Sequence, residues 1–163
     1  MKRLKGLMTS NTPEWSTPDW LFMALDVEFQ FDLDACATAE NAKCKRYFTS
    51  NDDGLDQAWT GNVFCNPPYG RQIGRWVHKA YQSAMTGATC VLLLPARTDT
   101  RWWHRFCRHG EIRFLRGRLR FSNSKRDAPF PAAIVIFRGN PLAVASASAS
   151  VNRTATVVKR SQK

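Results

Sequence analysis

Val63-Phe64-Cys65-Asn66-Pro67-Pro68-Tyr69 is the stretch on which the architecture turns. Val, Phe and Cys suit a buried strand, and the two prolines behind them supply no backbone donor, so the strand must end before them. Beyond Tyr69, Ile73, Trp76, Val77, Ala80, Tyr81 and Ala84 recur at helical spacing, and Gly87 is placed to stop that helix. A buried strand, a short turn and an amphipathic helix make the building block of a parallel sheet. In open sheets of that kind ligands bind outside the carboxyl ends of the strands, which is where Asn66 falls.

The four residues Asn66 to Tyr69 suit a planar amino group. The Asn66 side-chain oxygen and the backbone carbonyl of Asn66 or Pro67 can each accept a hydrogen bond from an exocyclic NH2. Proline holds φ at about −65° and donates nothing, which keeps these carbonyls directed outward. Tyr69 brings a flat face on which a base can stack.

The neighbouring segments extend the same pattern. Ser16 or Thr17 is expected to cap a helix with Pro18 near its first turn, running through Trp20, Leu21, Met23, Ala24 and Leu25. Phe29, Phe31 and Leu33 alternate with polar residues and predict a strand that delivers Asp34 at its end. The run Thr89-Cys90-Val91-Leu92-Leu93-Leu94 predicts a central parallel strand. Asp99 or Thr100 is placed to cap a helix through Trp103 and Phe106 that ends at Gly110. Segments 111–115, 118–121 and 133–137 read as strands, the last two as a hairpin-like pair. The expectation is an α/β fold: a mostly parallel sheet with helices on both faces and an antiparallel edge. It occupies residues 13–139, between a flexible basic arm at 1–12 and a disordered, Ala/Ser-rich basic tail at 140–163. Trp15, Trp20, Trp59 and Trp76 are expected in the core.

At 163 residues and 44% apolar composition the chain supports one hydrophobic core. No apolar run reaches the length of a membrane span and no signal-peptide core follows the amino terminus, so the reading is a soluble, cytoplasmic protein. The five cysteines are odd in number and none are paired as Cys-x-x-Cys, and the three histidines are scattered, which argues against a metal. The net charge of +11 is divided unevenly. Residues 13–60 hold three basic and ten acidic side chains, whereas residues 61–138 hold fourteen basic and three acidic. Arginines in the second half interleave with aromatics, as in Arg101-Trp102-Trp103 and Arg120-Phe121, and mark a nucleic-acid surface. Arg97, Arg101, Arg116, Arg118 and Arg120 are its candidate contacts. Arg97 fits a phosphate contact or a structural ion pair equally well, and the three alternating arginines would share one face of a strand.

With Asn66–Tyr69 placed after a strand, the chain resembles the amino-group methyltransferases that use S-adenosylmethionine, and more closely the phage-type DNA N-6-adenine methyltransferase family. The similarity spans roughly residues 13–138. It is carried in order by Trp15-Ser16-Thr17-Pro18, Phe31-Asp32-Leu33-Asp34-Ala35-Cys36-Ala37, Asp52-Asp53-Gly54-Leu55, Asn66-Pro67-Pro68-Tyr69-Gly70, Leu94-Pro95-Ala96-Arg97-Thr98-Asp99-Thr100 and Gly117-Arg118-Leu119-Arg120-Phe121.

The resemblance implies a compact Rossmann-like methyltransferase fold without a separate target-recognition domain, working in the cytoplasm of a bacterial host. It implies that Thr17 and Pro18 line the methionine end of S-adenosylmethionine. Asp34, Ala35 and Cys36 would form the turn beneath the cofactor, and Asp52 or Asp53 would read its adenine amino group. Asn66, Pro67, Pro68 and Tyr69 would be the catalytic tetrapeptide, acting on the N-6 amino group of a flipped adenine in double-stranded DNA. Two departures stand out. Ala35-Cys36-Ala37 replaces the glycines common in that superfamily, and the interval from Asp34 to Asn66 is too short for a full second βα unit. The ribose contact is thereby left open, with Glu40 a candidate by distance alone. A methyltransferase acting on RNA adenine, or a nucleic-acid binder that has lost its cofactor, fits the same residues.

Overall fold

The computed structural model describes residues 15–140; the basic arm at 1–12 and the Ala/Ser-rich tail lie outside the described residues apart from Asn140. Five strands form one sheet: β1 (Leu33–Asp34), β2 (Asn62–Cys65), β3 (Thr89–Pro95), β4 (Glu111–Phe114) and β5 (Ala132–Phe137). Their spatial order is β1-β2-β3-β5-β4. β1, β2 and β3 pair in parallel, while β5 runs antiparallel to both β3 and β4. Four strands therefore share one direction and β5 alone is reversed. The antiparallel element predicted for the edge is inserted between β3 and β4 instead, and β4 forms the edge. β3 and β5 are buried along almost their whole length because both faces are covered, which explains their unbroken apolar sequence.

Three α-helices cover the sheet: α1 (Asp19–Phe29), α2 (Ile73–Met85) and α3 (Arg101–Arg105), the last continued by a 3₁₀ turn at Cys107–His109. The pleat assigns their faces. Phe64 lies in register with Val91, and Val91 with Ile136, so these three point to one side. Phe22 of α1 meets the Phe64 ring edge-on at 5.2 Å on that side. Phe137 belongs to the opposite side and takes Tyr81 of α2 at 5.6 Å. Helices thus occupy both faces, as expected. Phe106, after α3, docks on α2 by stacking on His78 at 4.7 Å.

Several local expectations differ. Neither Ser16 nor Thr17 caps α1: Pro18 is the N-cap, and its carbonyl accepts from Leu21 and Phe22 at 3.1 Å. Phe29 is the last residue of α1, not part of a strand. Gln30 turns left-handed at φ 50° to end the helix, and β1 shrinks to two residues. The alternation of Phe29 and Phe31 arises because both rings pack together at 5.8 Å across that turn. Residues 118–121 form no strand either. Gly117 adopts φ 77°, and the segment bonds back on itself through Ala128 N–H to Leu119 C=O at 2.8 Å. The tryptophans divide: Trp59 and Trp76 are core residues and Trp15 is half-buried, but Trp20 is 63% exposed.

The crossover between β1 and β2 contains turns and no helix. Residues 46–48 run along the outer side of β1, with Asp34 N–H bonded to Arg46 C=O and Phe48 N–H to Asp34 C=O, both at 3.0 Å. This bridge shields a strand edge that would otherwise be open.

Candidate active site

β2 ends at Cys65, and the prolines behind it carry Asn66 out over the carboxyl edge of the sheet. The Asn66 side-chain nitrogen donates to the Trp15 carbonyl and to the Thr17 hydroxyl, the latter at 3.0 Å. The Trp15 carbonyl, which can only accept, defines which end of the amide is nitrogen. The other end, Oδ1, is buried and has no hydrogen-bond partner among the described residues. An unsatisfied buried acceptor costs about 1–3 kcal/mol, so it is a strong candidate for an external donor. A flip of the amide would set its oxygen against the Trp15 carbonyl, which locks the acceptor in place.

The segment that holds Asn66 is itself tied down. Ser122 N–H donates to Ser16 C=O at 2.9 Å, Ser16 N–H to Asn123 Oδ1 at 3.0 Å, and the Ser122 hydroxyl to Thr17 C=O at 3.2 Å. Thr17 is buried and Pro18 begins α1 behind it.

Asn66 faces a cavity of about 560 Å³, within the range of small-molecule sites. Its walls include Thr17, Asp34, Cys36, Asp53, Asn66 and Pro67. Asp34, delivered by β1, is buried, and burial pushes its carboxyl from an ordinary 3.8 up to about 6. Backbone N–H bonds from Lys43 at 3.1 Å and Cys36 at 3.4 Å oppose that rise. The Lys43 ammonium pairs with Asp19 instead. An acid in this position suits a cationic group or a hydroxyl in the cavity.

Ala35 extends the β1–β2 ladder through its N–H to Phe64 C=O at 2.9 Å and is fully buried. A Cβ on Gly54 would collide with the Ala35 carbonyl oxygen and stand 3.2 Å from the Trp76 ring, so only glycine lets the 52–55 turn seat against the β1 turn. Within that turn the two candidate acids separate. Asp52 faces solvent and accepts from Thr49 N–H and hydroxyl, both at 2.7 Å, bonds that hold its carboxyl below the usual range. Asp53 lines the cavity, from a left-handed φ of 47°. Glu40 is exposed and off the wall, where Thr38 and Asn41 stand instead.

Tyr69 departs most from expectation. Its ring is only 5% exposed, its hydroxyl donates to Leu93 C=O at 2.9 Å, and Phe121 and Phe130 meet it edge-on. A buried phenol seeks an acceptor, and the β3 carbonyl provides it, so the flat face expected for a base is covered in this conformation. Pro68 contributes a carbonyl that accepts from Gly70 N–H at 3.0 Å.

The arginines do not converge on the cavity. Arg97 is half-buried in the turn after β3, close enough that its charge opposes the upward push of burial on the Tyr69 phenol. Arg101 is exposed at the start of α3. Arg116, Arg118 and Arg120 line a separate groove with Trp20, and Arg120 pairs with Asp127 at 2.8 Å. Trp15, expected only as a core residue, reaches the cavity, and so do four residues that sequence reasoning passed over: Lys43, Phe48, Arg71 and Arg75. Arg71 lies in the turn just past the tetrapeptide and Arg75 in the first turn of α2. Among the described residues no cluster of His, Cys, Asp and Glu could hold a metal ion, and no helix is long and apolar enough to cross a membrane.

Comparison with known proteins gives a consistent set of relatives. The profile of the DNA N-6-adenine-methyltransferase (Dam) family matches residues 6–162. The chain is 31% identical over 116 residues to the DNA N-6-adenine-methyltransferase of Haemophilus phage HP1 (strain HP1c1), covering 68% of this chain and 67% of that protein. It is 34% identical over 110 residues to the DNA N-6-adenine-methyltransferase of Escherichia phage T1, covering 63% of this chain and 44% of the relative.

Proposed function

The chain belongs to the DNA N-6-adenine-methyltransferase family, and from that membership and the site geometry we propose that it methylates the N-6 amino group of adenine in double-stranded DNA, with S-adenosylmethionine as donor. The observation that carries this reading is the buried, unpartnered Asn66 Oδ1. It accepts one hydrogen of the adenine amino group, and the Pro67 carbonyl accepts the other. The cofactor supplies an electrophilic methyl group on a sulfonium.

An amino nitrogen conjugated to a purine is a poor nucleophile. Two acceptors on its hydrogens favour positive charge at nitrogen as the new bond forms, which is preorganised electrostatic stabilisation of the transition state. The methyl–sulfur bond breaks as the carbon–nitrogen bond forms, and the methylated nitrogen, now cationic and acidic, releases one proton to solvent. No ionised general base is therefore needed before transfer, and none is present as His, Asp or Glu in the tetrapeptide. Asn66 can do this because Thr17 and the Trp15 carbonyl hold its nitrogen. Asp34, Cys36 and Asp53 form the cofactor wall, a fit supported by the cavity's size and the acidic group buried in it. Arg71 and Arg75 stand at the rim for an anionic group. The adenine leaves the duplex to reach Asn66, at a cost of a few kcal/mol. Tyr69 anchors the tetrapeptide to β3, and Trp15 is the half-buried aromatic beside Asn66. The strand order, with its reversed β5 and its carboxyl-edge cavity, supports a shortened Rossmann-like methyltransferase fold.

The test is incubation with tritiated S-adenosylmethionine and DNA or RNA, followed by nucleoside analysis. Label in N6-methyladenine from duplex DNA is expected. Asn66→Ala should reduce transfer by a factor of about 10²–10³, the usual loss when one preorganised polar contact is removed, while cofactor titration stays close to wild type. Retained turnover in Asn66→Ala, or label confined to RNA, would reject the reading.

A further inference from the structure

The cavity at β1 and β2 leaves a second groove unexplained. Its walls are Trp20, in the first turn of α1, Leu115, Arg116, Arg118 and Leu119 from the segment after β4, and the Arg120–Asp127 ion pair, whose charges offset each other. Trp20 exposes 63% of its surface, an unusual state for so large an apolar side chain. Arg116 and Arg118 flank it, exposed and without an ion-pair partner among the described residues. Residues 115–131 carry Arg116, Arg118, Arg120, Lys125 and Arg126 against a single acid, Asp127.

Groove and cavity share one framework. β4 runs in the same direction as β2, so the segment leaving β4 emerges on the edge of the sheet that carries Asn66. That segment is hydrogen-bonded to residues 16 and 17 through Ser122 and Asn123, and Thr17 holds the Asn66 amide. Leu119 and Phe121 turn into the core between the arginines and hold the segment in place.

We propose that this groove docks the DNA duplex beside the target adenine: Trp20 stacks on a base exposed where the adenine leaves the helix, and Arg116 and Arg118 neutralise backbone phosphates. The proposal rests on the adenine-methyltransferase reading and adds the surface on which the substrate lies. Cationic side chains around an open aromatic face complement a polyanion whose bases are partly unstacked. A second copy of this chain, carrying the same positive groove, would meet like charge there.

The experiment measures binding of the full-length protein to a fluorescent, adenine-containing duplex at several salt concentrations. Trp20→Ala should raise the duplex Kd by about fivefold to a hundredfold, the range expected from loss of one base–aromatic stack. Trp20→Phe should stay within a few-fold of wild type, which separates stacking from folding. Arg116→Ala with Arg118→Ala should lower the slope of log Kd against log salt by about 2, near 0.9 for each phosphate released. S-adenosylmethionine titration should be unchanged in all three. Unchanged duplex affinity and slope in these variants would overturn the proposal. So would a wild-type dimer in sedimentation that Trp20→Ala converts to monomer, since that gives the groove to a second copy. A wild-type protein that binds duplex through these residues yet transfers no methyl group would support the docking surface and reject the catalytic reading.

Discussion

The Asp34 carboxyl offers a prediction whose size follows from its surroundings. It is buried at the carboxyl end of β1 and titrates at about 6 instead of 3.8, chiefly because burial penalises its charge. The folded protein therefore holds this proton to higher pH than the unfolded chain does. For a raised carboxyl the sign is fixed: the associated stability is fully present below about pH 4 and is lost as pH rises through about 6. At 1.36 kcal/mol per pH unit the loss approaches about 3 kcal/mol by neutral pH. Asp34→Asn keeps the shape and removes the titration. Its mismatch with the Lys43 and Cys36 N–H donors costs the same at every pH, so the informative quantity is the change with pH. Urea unfolding of both proteins between pH 4.5 and 7.5 should show the stability difference moving in favour of Asp34→Asn by about 2 kcal/mol, the remaining ~1 kcal/mol having been lost below pH 4.5. Other carboxylates cancel in that comparison. Parallel pH profiles would refute the assignment of a desolvated acid. A cationic group bound beside Asp34 stabilises the carboxylate, so S-adenosylmethionine affinity should rise through pH 6 in wild type and stay flat in Asp34→Asn.

Thr17→Val removes the hydroxyl that accepts from Asn66 at 3.0 Å without changing the shape; a loss of about 1 kcal/mol and a drop of roughly tenfold in single-turnover transfer are expected, with recovery in Thr17→Ser. Equal rates for Val and Ser would show that the Trp15 carbonyl alone orients the amide. Tyr69→Phe loses the bond to Leu93 C=O and should unfold about 1 kcal/mol more easily, whereas Tyr69→Ala opens a cavity and should cost about 3–5 kcal/mol; similar losses in thermal unfolding would contradict the buried position. Gly54→Ala forces a Cβ against the Ala35 carbonyl and the Trp76 ring, so stability should fall by about 1–3 kcal/mol and calorimetry should register weaker cofactor binding. A stable variant with normal binding would mean that the two turns separate freely.

Position in the sequence was a good guide where burial on both faces left no alternative. β2, β3 and β5 are continuous apolar runs because helices cover both sides of the sheet, and α2 shows its stripe because one face packs on that sheet. The same logic fails where alternation has another origin. Leu119 and Phe121 point inward and Arg118 and Arg120 outward from a loop that packs on Trp15 and Tyr69, so the pattern imitates a strand. Phe29 and Phe31 imitate one too, because an aromatic pair straddles a helix end. Trp20 reads as a core residue by type, and only its place on the outer side of α1 exposes it.

The chain alone made legible a strand that ends at Cys65 and presents Asn66, since two prolines cannot continue a parallel ladder. It also determined the family likeness and the division into acidic and basic halves. What surrounds the tetrapeptide is set by long-range packing. Residues 15–17 and 121–123, over a hundred positions apart (separations of 105 and 107), meet over it, leaving Asn66 Oδ1 buried without a partner and covering Tyr69. Such pairings depend on how loops of remote origin fill the space at one edge of the sheet, and no local propensity or spacing encodes them.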